Sequence, residues 1–228
     1  MVDLDGVRSQ LPAMDPALPA TTCATPVMLG SDIYRTSKHA SGHPLAIPRV
    51  SLCIDLCRAL GWLPAGSYYD IPAASVVELC RFHTPDYVAA VQRCERRQHA
   101  DAFHQERYNL GVNGNPVYDA MFRRPATACG ASIAGARWLA DGGIVYSPAG
   151  GTHHGQAGRA SGFCIFNDPV LAILALLDGG LQRIFYLDLD AHFGDGVQSA
   201  FADDERVLTL SLHEGGRWPM GREDIWTA

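Results

Sequence analysis

A chain of 228 residues, 47% hydrophobic and 18% charged, can bury one sizeable core and reads as a soluble globular protein of one domain or most of one. Its formal net charge of -6 argues against direct nucleic-acid binding, because phosphate recognition needs a concentrated excess of Lys and Arg. No apolar run is long enough to span a bilayer.

In residues 1–25, Asp3, Asp5 and Pro12 stand where an export signal would place basic residues and an apolar core, so a loose leader is expected before a domain over 26–228. The 7 cysteines (Cys23, Cys53, Cys57, Cys80, Cys94, Cys129, Cys164) are odd in number, scattered and without a C-x-x-C pair. That pattern suits a reducing compartment, and the cytoplasm is the expected setting. A first strand is expected within residues 26–33. From Arg49 to Leu60 a helix is expected, with Val50, Leu52-Cys53, Leu56-Cys57 and Leu60 as its buried stripe and Gly61 as its stop. Thr84 and Pro85 fit the N-cap and first position of a helix running to Arg97. The basic clusters Arg93 with Arg96-Arg97, and Arg123-Arg124, read as solvated helix faces.

Residues 109–116, rich in Gly and Asn, should be a loop, followed by an alanine-rich helix through Ala128, Ile133 and Leu139 that favours close helix packing. After Gly142-Gly143 comes a strand over 144–146, then a loop in which His153-His154 lie among glycines able to adopt tight geometry. A helix is expected over 167–177 and a last strand over 207–212. Between them the apolar run 183–189 leads into Asp188-Leu189-Asp190-Ala191-His192. It reads as an interior strand of a parallel sheet covered on both faces, with Asp188, Asp190 and His192 sharing one face and Leu187, Leu189 and Ala191 the other. The alternation of strands and helices implies a parallel α/β layer fold without internal repeats.

Asp190 and His192 offer a carboxylate and an imidazole, a donor pair suited to zinc or another divalent ion, though a catalytic zinc usually takes three protein ligands. Polar groups ending a buried run are costly unless paired or liganded. His153 and His154 suit proton transfer near neutrality, and Asp188 and Asp195 are candidates to orient them.

Three linked motifs carry a family resemblance. They are Gly150-Gly151-Thr152-His153-His154, Ser161-Gly162-Phe163-Cys164-Ile165-Phe166-Asn167-Asp168, and Asp188-Leu189-Asp190-Ala191-His192-Phe193-Gly194-Asp195-Gly196-Val197-Gln198. In order, spacing and identity they are similar to the histone deacetylase family. Weaker echoes at His43-Pro44 with Arg49, His83-Thr84, Asn115-Pro116-Val117-Tyr118 and 207–213 extend the resemblance over residues 26–219. It implies the arginase/deacetylase fold, a three-layer parallel sheet flanked by helices. It implies zinc held by Asp190 and His192, and His153 and His154 as general base and acid partnered by Asp188 and Asp195. It further implies a tunnel walled by Gly162-Phe163 and Trp218, with Arg49 near its inner end. A potassium ion would be held by Asp188, Asp190, His192, Ser211 and Leu212. The implied substrate is an acetylated lysine or polyamine, hydrolysed at its amide.

The chain departs from the family at its C-terminal side. The family's third zinc ligand, an aspartate, and its transition-state tyrosine lie beyond the strand that ends here at His213, and residues 221–228 carry no similar motif. Asp224 lies too near Trp218 to serve, so the fold is expected to be incomplete at the C-terminus. Gly114 stands where members often carry a rim aspartate, and Phe193 replaces a frequent histidine. The alternatives are a truncated, catalytically deficient homologue that only binds metal or a partner, and a two-manganese ureohydrolase-like enzyme, against which the tandem histidines argue.

Overall fold

The computed structural model describes residues 26–39, 42–139 and 142–219; the expected leader with Cys23, and residues 220–228 with Asp224, lie outside them. In chain order the elements are β1 (Val27–Gly30), α1 (Ile33–Thr36), a 3-10 turn (Pro44–Ala46), α2 (Arg49–Ala59), β2 (Tyr68–Asp70), α3 (Val76–Leu79) and α4 (Pro85–Arg97). There follow α5 (Ala102–Tyr108), α6 (Arg123–Trp138), β3 (Val145–Tyr146), α7 (Asp168–Asp178), β4 (Ile184–Asp188), α8 (Asp195–Ala200) and β5 (Val207–Ser211). Every strand pair is parallel, in the orders β2-β1-β3 and β4-β5. The class is α/β as expected, with the described strands divided between two sheets.

The core gathers where α4, α6 and α7 meet. Tyr87, Val88 and Val91 of α4 are buried against Met121, Cys129, Phe166 and Leu171. The small buried residues Ala126, Ala128 and Ala131 give α6 a slim flank on which neighbours can pack. Tyr87 keeps its hydroxyl satisfied by donating to the Ile165 carbonyl at 2.7 Å. Helix α4 begins at Thr84-Pro85, with proline where its missing N–H costs nothing, and ends as Gln98 turns left-handed.

Three sequence expectations are corrected. Helix α2 seats its interior through Ser51 and Ile54, while Leu52, Leu56 and Leu60 are exposed. An apolar spacing marks a face able to be covered, and contact alone decides which face is. Strand β4 pairs only with β5, and Phe185, Leu187 and Leu189 are exposed, so among the described residues it is not covered on both faces. Arg124 is not a solvated cation: its Nη1 donates to the Ser37 carbonyl and hydroxyl at 3.1 and 2.9 Å, and its guanidinium lies over the Tyr34 ring at 4.9 Å.

His83, at the head of α4, is buried with both ring nitrogens used. Nδ1 donates to the Gln156 carbonyl at 3.1 Å, and Nε2 accepts from the Asn167 N–H at 3.0 Å. One donor and one acceptor describe a neutral ring. Burial holds its pKa at about 4 against the ordinary 6.5, with the backbone hydrogen bonds opposing. His39 is likewise lowered to about 4, first by burial and then by the Arg124 charge. Below pH 6.5 the unfolded chain takes up protons that the folded chain refuses until about pH 4. Stability should therefore fall as pH drops through that window, by about 3 kcal/mol for His83. Urea midpoints measured from pH 7 to pH 4 should show this fall, and His83→Gln should reduce it.

Candidate active site

Strand β4 delivers Asp188 to its C-terminal end, in register with Ser211 of β5, and the Leu212 N–H donates to the Asp188 carbonyl at 2.9 Å. The strand stops there. The Asp190 N–H donates back to Asp188 Oδ1 at 3.1 Å, and the His192 N–H to Asp190 Oδ1 at 2.7 Å. These local side-chain acceptors replace the sheet ladder and turn the backbone. The expectation that Asp188, Asp190 and His192 share one strand face is corrected accordingly. Asp188 is buried, whereas the Asp190 and His192 side chains are 52% and 39% exposed.

The loop after β3 brings the tandem histidines onto this end. His153 Nδ1 donates to Asp188 Oδ2 at 2.6 Å, and His154 Nδ1 to Asp195 Oδ1, at the start of α8, at 2.7 Å. A carboxylate can only accept, so both rings carry the Nδ1 proton and leave Nε2 available. The two rings are buried with centroids 4.0 Å apart, and His153 Nε2 lies 3.9 Å from Asp190 Oδ1. The Tyr186 hydroxyl also donates to Asp188 Oδ2, at 2.8 Å. Burial alone would lower His153; the hydrogen bond and charge of Asp188, with Asp190 and Asp195 beyond, outweigh it and raise the imidazole above its ordinary value. Burial alone would raise Asp188, and the hydrogen bonds from His153 and Tyr186 hold it below the usual carboxylate range. Asp190 is lowered too, with burial opposed by the backbone and ring of His192.

His153, His154, Asp190, His192, Gly162, Phe163, Trp218 and Arg49 line one cavity of about 1130 Å³. Asp188 and Asp195 stand behind the histidines. Trp218 lies edge-on to His154 at 4.8 Å, and Phe163 edge-on to His43 at 5.0 Å. Gly114 has φ of +79°, and a Cβ there would collide with the Phe163 ring. A side chain at 114 would have to displace the Phe163 ring, and the left-handed backbone there favours glycine. Burial pushes the Cys164 thiol up to about 12, which disqualifies it as a nucleophile.

One residue that shapes the site, Asp168, has no role assigned from sequence beyond its place in the second motif. Asp168 is buried, with Oδ1 accepting from the Thr152 N–H at 2.8 Å and hydroxyl at 2.5 Å, and Oδ2 from Ser132 Oγ at 2.5 Å and the Gly151 N–H at 3.3 Å. It thereby anchors the approach to the histidines. Its signal was an Asn-Asp pair directly after apolar residues 163–166, since buried polar groups must find partners.

His192 Nδ1 donates to Asp190 Oδ1 at 2.9 Å, so the two side chains are paired with each other. A carboxylate and an imidazole fit zinc in kind. Among the described residues there is no group of three or more His, Cys, Asp or Glu placed to hold a metal ion. No helix among them is long and apolar enough to cross a membrane.

Comparison with known proteins places these features in context. The family model described as the histone deacetylase domain matches residues 43–227. Acetoin utilization protein AcuC of Bacillus subtilis (strain 168) is 37% identical over 194 residues, covering 84% of this chain and 50% of that protein. Human histone deacetylase 1 is 34% identical over 190 residues, covering 82% of this chain and 39% of that protein. A crystal structure of an HDAC homolog from Aquifex aeolicus superposes with a TM-score of 0.80 at 38% identity, covering 83% of this chain and 51% of that one. The chain thus spans about half or less of the length of these relatives.

Proposed function

This chain belongs to the histone deacetylase family, and from that premise we propose that it carries out, or contributes the acid–base part of, zinc-dependent hydrolysis of an acetyl-amide. The observation that carries the reading is that two histidine–carboxylate pairs, His153–Asp188 and His154–Asp195, line or back the same cavity as Asp190 and His192.

Asp190 and His192 would hold the zinc, with a third ligand from outside the described residues. What zinc supplies when bound is polarisation of the acetyl carbonyl and a more acidic water. Phe163 and Trp218 would flank an apolar stem at the cavity mouth, and the bulk of the histidine rings would exclude bulk water behind it. With Nδ1 committed to a carboxylate, each Nε2 is the atom that exchanges protons. The Asp188 hydrogen bond and charge favour the protonated His153 ring; His154 would take the proton from water and pass it to the leaving amine. Asp188 and Asp195 would stabilise the charged rings without themselves becoming protonated. A potassium ion at Asp188, Ser211 and Leu212 is a further proposal, favoured by the pairing of these backbones across β4 and β5. The six cysteines among the described residues are free thiols, which suits a cytoplasmic setting.

The substrate is an acetylated lysine or polyamine. Acetate release should be measured with an acetyl-lysine peptide and with an acetylated polyamine, each with zinc added. Release that falls by at least about 100-fold in Asp190→Ala or His192→Ala supports the proposal. Absence of release together with weak zinc retention would instead favour a homologue that only binds metal or a partner.

A further inference from the structure

Behind the tandem histidines lies a polar bracket to which the acid–base reading gives no task. Asn167 is 0% exposed. Its Oδ1 accepts from the Val170 N–H at 3.1 Å and caps α7, while Nδ2 donates to the carbonyls of His153 at 3.2 Å and Gly155 at 2.9 Å. Its backbone N–H is taken by His83 Nε2, and the opposite ring nitrogen of His83 holds the Gln156 carbonyl. One amide and one imidazole therefore fix the backbone on both sides of His154. The packing leaves little slack: a Cβ on Gly196, next to Asp195, would collide with the His153 carbonyl and stand 2.8 Å from Asn167 Nδ2.

We infer that Asn167 and His83 are positioning residues, which set the His153–His154 backbone so that each ring meets its carboxylate. The inference rests on the acid–base reading of the two histidines. Capping α7 would need only an oxygen, which Ser, Thr or Asp supplies equally well. Holding two converging carbonyls from the same buried position also needs an N–H donor pair, and among capping side chains the Asn amide has both. His83 completes the arrangement, since a buried imidazole is costly unless both nitrogens are engaged. A shift of about 1 Å in such a loop is enough to cost about 100-fold in rate.

The test is proton NMR of the full chain. The Nδ1 protons of His153 and His154, each donated to a carboxylate, should give downfield signals protected from exchange. Asn167→Ser keeps a capping oxygen and removes both amide N–H donors; it should speed exchange of both signals by about ten-fold or more while helix content is retained. Val91→Ala, a core truncation in α4, serves as the destabilised control and should leave the signals in place. His83→Gln, which retains a donor and an acceptor, should preserve the signals, and His83→Met should lose them. Folded Asn167→Ser protein with both signals at wild-type exchange rates would overturn the inference. If Asn167→Ser does not fold, the His83 pair decides, and any pattern other than retention in Gln and loss in Met overturns it. The readout needs no turnover, so a silent acetate assay would count against the functional reading alone, and unchanged signals against the bracket alone.

Discussion

Asp188→Asn is expected to reduce acetate release by about 10⁴-fold, the scale on which a mis-set histidine tautomer disables an acid–base pair. Asp188 Oδ2 accepts from both His153 Nδ1 and the Tyr186 hydroxyl. An amide NH₂ in that place turns Nδ1 into an acceptor and moves the ring proton to Nε2, the atom that should exchange it. The same substitution removes the Asp188 hydrogen bond and charge, leaving Asp190 and Asp195 against the burial that lowers His153, so NMR titration should show the imidazole pKa falling. The effect on stability has a defined window. A raised His153 stabilises the fold below pH 6.5 and loses this as pH rises through its folded value; a lowered Asp188 stabilises above pH 3.8 and loses this as pH falls through its folded value. The deficit of Asp188→Asn in urea unfolding should thus be largest between those limits, roughly 2–3 kcal/mol for a buried pair broken on one side.

Asp168→Ala should have the largest effect on the fold, costing about 4 kcal/mol, because it leaves Ser132, Thr152 and the Gly151 N–H without their shared acceptor. Asp168→Asn, which retains one acceptor oxygen, should recover part of the loss. Chemical denaturation of both variants measures this directly. Hydrogen exchange should show loop 147–155 opening more readily than α4 in Asp168→Ala, since the lost contacts hold that loop and the core beneath α4 is untouched.

What could be read from the sequence follows the range of the interactions. The helix start at Thr84-Pro85 and the short strand at 145–146 are written in adjacent residues, and the structure places them close to where pattern alone would, although Thr84 makes no side-chain cap hydrogen bond. Neither the covered face of α2 nor the open face of β4 is legible, because periodicity gives the direction in which a side chain points and not what meets it. The histidines and their carboxylates were named from chemistry and resemblance, and the loop after β3 brings them within hydrogen-bonding distance. The Asn167-Asp168 pair after an apolar run signals buried polar groups in need of partners, but which partners Asp168 takes, and the bracket of Asn167 and His83, are not written in it. Each depends on backbone groups many residues away, and only the folded chain shows which carbonyls and N–H groups converge.

The most direct test of the acid–base reading is zinc-dependent acetate release from an acetyl-lysine peptide, compared between the wild-type chain and His154→Ala at matched zinc occupancy. The account predicts release in the wild type and at least about 100-fold less in His154→Ala, with zinc still bound. Equal rates in the two proteins, or no zinc-dependent release from the wild type, would contradict it.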